Sequence, residues 1–378
     1  MTTTDRSIEA DLALNPAKVT DWFSNDFSEA RDNFQRACNA RGIPITQYTN
    51  PSRGPDSVTL TTDVAYIGPS EATNILVIIS GTHGPELLVG SGCQVGFLES
   101  GFSDSLPEDT ALLFIHAINP YGAAWRSRYT EDNVDLNRNF VDHRKLYPDN
   151  PLYPSLHDAV ICRAGDSPAK QQTDEAVQQF CTKHGEAAYS NTLSQGQYTH
   201  PDGLGFGGNQ KTWSHQTLEA IFERYLSYAR HVAVIDFHSG LGPFGEGLLI
   251  SNQPECSESL RRARRWYGDS LLCAQEGGAL PYRVVGDLCS GVEQMLPQAE
   301  VTAVALEFGT YPLNQLLDSF RLHALLSQSS QLSPEREEQV RSTIQDFFYP
   351  GTLAWLNPVW ARTVQVTQQA LVGLSINR

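Results

Sequence analysis

Four apolar runs constrain this chain more than any other feature: "NILVIISG" (74–81), "TALLFIHAIN" (110–119), "HVAVIDFHSG" (231–240) and "VTAVALEFG" (301–309). A continuous apolar run bounded by turn residues reads as a strand, and a run without alternation is the kind covered on both faces, as in parallel sheets. Between the first two lies "GPELLVGSGCQVGFLES" (84–100), helical despite its glycines, so the chain runs strand, helix, strand. The expected fold class is α/β: a mixed, largely parallel twisted sheet flanked by helices.

The rest of the chain fits around that sheet. "PITQY" (44–48) and "SVTLTTDVAYIG" (57–68) read as further strands, preceded by a helix over 26–40 that stops at Arg41-Gly42. "CSESLRRARRWYGDSLLCAQ" (256–275) reads as a helix and "PYRVVGD" (281–287) as a short strand. Residues 141–215 are polar, with one clear helical pattern at "TDEAVQQFCTKHG", and are expected to form a lid or loop insertion over the site. Helices follow at about 313–375, one of them starting with Ser333 as N-cap and Pro334 in its first turn. No linker or internal repeat divides the chain, so a single domain over 1–378 is expected.

Composition narrows the function. With 27 Lys plus Arg against 43 Asp plus Glu, the formal charge of −16 disfavours nucleic acid and anionic membrane surfaces as partners. No signal-peptide pattern and no run of about 18 apolar residues is present, so a cytoplasmic location is expected. The 7 cysteines are scattered without a C-x-x-C pair, which reads as reduced thiols and excludes a cysteine-rich zinc site.

The chemistry sits where the apolar runs end. His83 and Glu86 follow the first run, His238 ends the third, and Glu307 interrupts the fourth. Ligands of open α/β sheets bind beyond the carboxyl ends of strands, so these distant segments can converge on one crevice. Two histidines and a glutamate suit a catalytic zinc, because they leave a fourth position open. A buried Glu307 needs a partner or a function, and beside a metal ion it is the natural general base. After the second run, residues 119–140 concentrate Arg126, Arg128, Asp135, Asn137 and Arg138, a set suited to an anionic substrate group.

In their order, "THGPE", "NPYG…RSRYTEDNVDLNRNF", "DFHSGLG" and "LEFGTY" resemble the motifs of zinc carboxypeptidases and their aspartoacylase-like relatives, from about Asp63 to the C-terminal helices. The nearest resemblance is to an uncharacterised carboxypeptidase-like branch of that superfamily. It implies a phosphorylase/hydrolase-like fold and one zinc ion per chain held by His83, Glu86 and His238. It further implies that Glu307 activates water and that Arg128 polarises the scissile carbonyl, with Arg126 competing for that role. Asn137 and Arg138 would hold the substrate's free carboxylate, and Asp135 would accept the second ring N–H of His83. The implied activity is hydrolysis of an amide or peptide bond beside a free carboxylate, on a peptide or other small molecule. An N-acyl amino acid deacylase and a non-catalytic binding protein on the same fold are the alternatives. Tyr282 and Tyr311 are candidates for an assisting tyrosine.

Other signals carry less. "GLGFGG" (203–208) follows no apolar strand and reads as a loop, not a dinucleotide site. "RRARRW" (261–266) reads as a solvated helical face. Asp236 shares a strand face with His238 and stands open to a role beside the metal, in a second metal site, or as a satisfied buried acid. Of the remaining histidines, His116 ends a strand near the site, but none has ligand spacing.

Overall fold

The computed structural model describes residues 16–161, 167–273, 284–326 and 332–376. Eight strands form one mixed sheet: β1 (Ile45–Arg53), β2 (Thr59–Ile67), β3 (Asn74–Ile79), β4 (Thr110–His116), β5 (His231–Ser239), β6 (Gly247–Ser251), β7 (Leu271–Cys273) and β8 (Glu300–Phe308). Their order is β1-β2-β4-β3-β5-β8-β6-β7. The four apolar runs are its parallel centre, β4-β3-β5-β8, while β1, β2 and β6 pair antiparallel around it.

Around the sheet lie α1 (Pro16–Trp22), α2 (Phe27–Ala40), α3 (Leu87–Glu99), α4 (Pro120–Ala124), α5 (Tyr153–Val160), α6 (Ser167–His184), α7 (Glu186–Ser194) and α8 (Trp213–Tyr225). They are followed by α9 (Glu258–Tyr267), α10 (Leu288–Met295), α11 (Leu313–Leu326), α12 (Pro334–Phe348) and α13 (Leu353–Ile376). Every residue of β3 and β4 is buried, because side chains alternate between two covered faces. Leu76, Ile78, Ile235 and Leu306 pack under α1, α3, α9 and α13, whereas Ile75, Val77, Val234 and Ala303 pack under α8 and α10. Each such Leu, Ile or Val contributes about 1.5–3 kcal/mol of burial free energy.

The chain steps from β3 to β4 on one side and later from β5 to β8 on the other, so strand order reverses between β3 and β5. Reversal leaves a crevice at the carboxyl ends of those two strands, the place where α/β sheets hold ligands. His83 and Glu86 follow β3 and His238 is the second-to-last residue of β5, so the topology alone brings them to that crevice.

Several elements differ from the sequence expectation. The segment 141–215 holds α5, α6 and α7 rather than one helix. Leu271–Cys273 is edge strand β7 instead of the tail of a helix, and β6 was not expected. Part of "PYRVVGD" lies outside the described residues, and its remainder, 284–287, is not a strand. Arg262 is buried rather than solvated: its Nε donates to Thr302 Oγ1 at 2.6 Å, pinning α9 to β8. Six described cysteines are free thiols, four of them buried, and burial pushes Cys38 and Cys93 up to about 12; Cys162 lies outside the described residues. No described helix is long and apolar enough to cross a membrane.

Candidate metal centre

His83 stands in extended conformation after β3, and Gly84–Glu86 form a single 3-10 turn into α3. That turn requires glycine at position 84, since a Cβ there would lie 2.0 Å from the Gly122 carbonyl carbon and oxygen. The close approach locks the His83–Glu86 turn onto the segment that carries Arg128. On the other side, β5 and β8 pair in parallel with His238 directly opposite Glu307. Gly309 lets the loops beyond those strands touch, because its Cβ would meet Pro243 O at 2.0 Å.

One donor atom from each of His83, Glu86 and His238 lies within 4.8 Å of the others, and all three residues are buried. His83 Nδ1 faces Glu86 Oε1 at 2.9 Å, and His238 Nδ1 faces Glu86 Oε2 at 2.9 Å. The far nitrogens are committed too: His83 Nε2 lies 3.1 Å from Asp135 Oδ1 and His238 Nε2 lies 2.7 Å from Asp236 Oδ2. Asp236 is itself fixed by the Thr82 hydroxyl, which donates to Oδ1 at 2.7 Å. Each imidazole is thus clamped between two carboxylates. Burial resists a charged Glu86, yet His83 and His238 hold it well below the usual carboxylate range. Burial likewise works against a charged His238, but Asp236 and Glu86 raise it well above the usual value.

Arg128 is buried beside this group. Its Nε donates to Asp135 Oδ2 at 2.9 Å, its Nη1 lies 3.5 Å from Glu86 Oε1, and its guanidinium carbon stacks 5.0 Å from the Phe320 ring centre. Asp135 therefore ties a histidine to an arginine. Burial opposes its ionisation, while Arg128, Arg138 and His83 hold it well below the usual range. Asn137 accepts the Leu288 N–H through Oδ1 at 2.8 Å. Arg138 Nε and Nη2 both donate to Ser194 O, at 3.0 and 2.6 Å, and Nη1 donates to Asn137 O at 2.6 Å. One N–H on each of its terminal nitrogens remains uncommitted. Glu307, partly buried, accepts the Leu241 N–H at 3.0 Å; burial and then Glu86 push its carboxyl up to about 7.

Most of these side chains line one cleft, walled on the apolar side by Leu241, Leu316, Phe320 and Phe348. The structure thus brings together His83, Glu86, His238, Glu307, Arg128, Asn137 and Arg138. It does not bring Arg126 there: that guanidinium pairs with Glu338 at 2.5 Å and bonds Ser342 at 3.3 Å on the surface. Tyr311 sits among the rings of Phe244 and Phe347 and does not line the cleft, and Tyr282 lies outside the described residues. His116 is buried against Phe34 and Ser91, away from the cleft, and burial lowers it to about 4. Sequence reasoning missed Thr82, Phe320 and His323. The last accepts the Arg128 N–H through Nδ1 at 3.3 Å, and only tertiary packing could have revealed it.

Among solved structures, the chain is similar to carboxypeptidase A from Helicoverpa armigera, at 11% identity over 85% of this chain and 73% of that one, with a TM-score of 0.44. It is also similar to an aspartoacylase family protein from Mesorhizobium loti, at 14% identity over 75% and 66%, TM-score 0.36. A succinylglutamate desuccinylase from Silicibacter sp. overlaps at 14% identity over 77% and 66%, TM-score 0.38. The chain spans about two thirds of the length of the latter two, and overlaps this loose transfer no role to any residue. No curated protein matches the chain. Residues 23–362 match the family described as "Protein of unknown function (DUF2817)", and the chain belongs to that family.

Proposed function

We propose that this protein is a zinc-dependent hydrolase of an amide or peptide bond next to a free carboxylate. One observation carries the reading: the Nδ1 atoms of His83 and His238 converge on Glu86 while both Nε2 atoms face other carboxylates. Each imidazole would need two protons to satisfy four such contacts, and one divalent cation supplies the same charge as two Nδ1 protons. A neutral imidazole fixed by an Nε2–H···carboxylate bond is the usual partner of such an ion. Two nitrogens and a carboxylate fit zinc and leave a position for a reactant.

When bound, the ion would act as a Lewis acid and lower the pKa of water. This chain's own groups account for the remaining work. Glu307 takes the proton of the attacking water on its free carboxylate oxygen and delivers it to the leaving amine. Arg128, held by Asp135 and Phe320, presents its Nη1 edge to the carbonyl oxygen as negative charge develops there. Arg138 and the free amide of Asn137 grip the carboxylate of the substrate, fixing its register in the cleft.

Purified protein reconstituted with zinc and dialysed is expected to retain about one equivalent per chain, with a raised melting temperature. Folded protein that takes up no zinc would overturn the reading. The carboxylate grip has its own test. C-terminal amidation of a peptide substrate should cut kcat/KM by roughly a hundredfold in the wild type and only a few-fold in Arg138→Ala, because the two changes remove the same contact. Equal ratios in both proteins would give Arg138 a structural part instead. Peptides and N-acyl amino acids screened side by side decide between carboxypeptidase and deacylase.

A further inference from the structure

Arg128 lies in a segment that is neither helix nor strand, two residues after Arg126, whose φ of 47° turns the chain through the left-handed region. Such a conformation is unfavourable for a residue with a Cβ and persists only where neighbouring contacts hold it. A backbone N–H buried in such a segment has no ladder to join and needs a partner from elsewhere. His323 supplies one: its Nδ1 accepts the Arg128 N–H at 3.3 Å, reaching across from α11. The ring is 1% exposed, set edge-on to Tyr129 and close to Phe348, and its Nε2 has no hydrogen-bond partner among the described residues. Because Nδ1 accepts, the ring proton resides on Nε2, so an N–H is buried without an acceptor. Burial and then Arg128 lower the pKa of His323 to about 3, so the ring stays neutral and Nδ1 remains an acceptor. Packing alone calls for leucine or phenylalanine at such a position; what the imidazole adds is the acceptor nitrogen.

Resting on the hydrolase reading above, we propose that His323 is a positioning residue for Arg128, fixing the guanidinium edge that meets the carbonyl oxygen of the substrate. One helix then holds Arg128 at both ends. Phe320, three residues before His323 and on the same helical face, lies 5.0 Å from the guanidinium carbon, while His323 holds the backbone nitrogen. Leu316, Phe320 and Ala324 anchor α11 in a cluster with Val340, Ile344 and Phe348 of α12, so both contacts come from one packed element. Asp135 fixes the Arg128 Nε at 2.9 Å. With Nε on Asp135 and the guanidinium over Phe320, a displaced backbone would drag the side chain off one of them. A group displaced by about 1 Å from its productive place costs on the order of a hundredfold in rate. His323 does not itself line the cleft, so its effect passes through Arg128.

The experiment compares three substitutions in zinc-loaded full-length protein. In His323→Asn a side-chain oxygen stands where Nδ1 stood, in His323→Gln it stands one bond further out, and His323→Leu has no acceptor. His323→Leu and His323→Gln should lose kcat by roughly 30-fold with KM within about threefold of wild type, since the guanidinium edge matters most as charge develops on the carbonyl oxygen. His323→Asn should keep kcat within about threefold of wild type. A merely structural role predicts another pattern: activity per folded molecule would be unchanged, or would follow the melting temperature and not the place of the acceptor. Full kcat in His323→Leu, or an equal loss in His323→Asn, overturns the proposal. Should His323→Leu not fold, the contrast between His323→Asn and His323→Gln decides, equal rates rejecting the assignment. Should the zinc-loaded wild type hydrolyse neither peptides nor N-acyl amino acids, the hydrolase reading fails, and hydrogen exchange of the Arg128 side-chain Nε–H reads the positioning directly. Faster exchange in His323→Leu with wild-type exchange in His323→Asn sustains it, and equal exchange in all proteins rejects it.

Discussion

Glu307→Gln is expected to keep its zinc and lose turnover by roughly a thousandfold or more, because the substitution removes a base and no ligand. Glutamine retains the oxygen that accepts the Leu241 N–H, so the side chain should stay in place. What disappears is the titratable oxygen, in a carboxyl that burial and then Glu86 push up to about 7. Metal analysis and steady-state rates on one preparation check both halves. A variant that hydrolyses at the wild-type rate would remove Glu307 from the chemistry.

The same shift fixes the sign of a stability difference. A carboxyl whose pKa is higher folded than unfolded binds more protons in the folded state, so its contribution falls as pH rises from about 4.5 to about 7. Buried neutral histidines such as His116 and His323, lowered to about 4 and about 3 mainly by burial, act in the opposite direction as they lose stability on acidification. The raw pH profile of the metal-free protein mixes these effects. The difference between wild type and Glu307→Gln isolates one of them: the variant should gain on the wild type as pH rises through this window.

How much of this was legible follows from what each residue contacts. Parallel strands covered on both faces are written as continuous apolar runs, so a polar residue at the carboxyl end of such a run stands out. His83, Glu86, His238 and Glu307 were legible for that reason. Asp236 could be placed on the face of His238 from the two-residue parity of a strand, though its role could not. Arg126 and Arg128 sit two apart in an irregular loop with no periodicity to separate them; packing against Phe320 and Asp135 draws one inward while Glu338 holds the other outside. The helices of 141–215 were obscured because the segment is largely polar, although Tyr153, Leu156, Phe180 and Leu193 join a hydrophobic cluster with α11 and α12. Edge strand β7 has three residues, too few for any pattern.

His238→Ala is expected to abolish zinc binding, and comparison with Asp236→Asn shows why that would identify a metal centre rather than a buried ion network. The alanine variant deletes a ligand atom; the asparagine variant keeps the ring and weakens only the carboxylate behind it, which should cost about 10–100-fold in affinity. A structural network without metal predicts another pattern. Removing the imidazole from between Glu86 and Asp236 would still destabilise the protein, by about 3–5 kcal/mol for a broken buried pair. Yet zinc would then shift the melting temperature of neither wild type nor variant. A metal centre makes the wild type respond, by about 4 kcal/mol at a zinc concentration a thousand times Kd, with Asp236→Asn needing more metal for the same shift and His238→Ala not responding. Destabilisation in the metal-free state is common to both accounts, so the zinc-dependent increment decides between them, and its order across the three proteins follows from which atom of the imidazole each substitution touches.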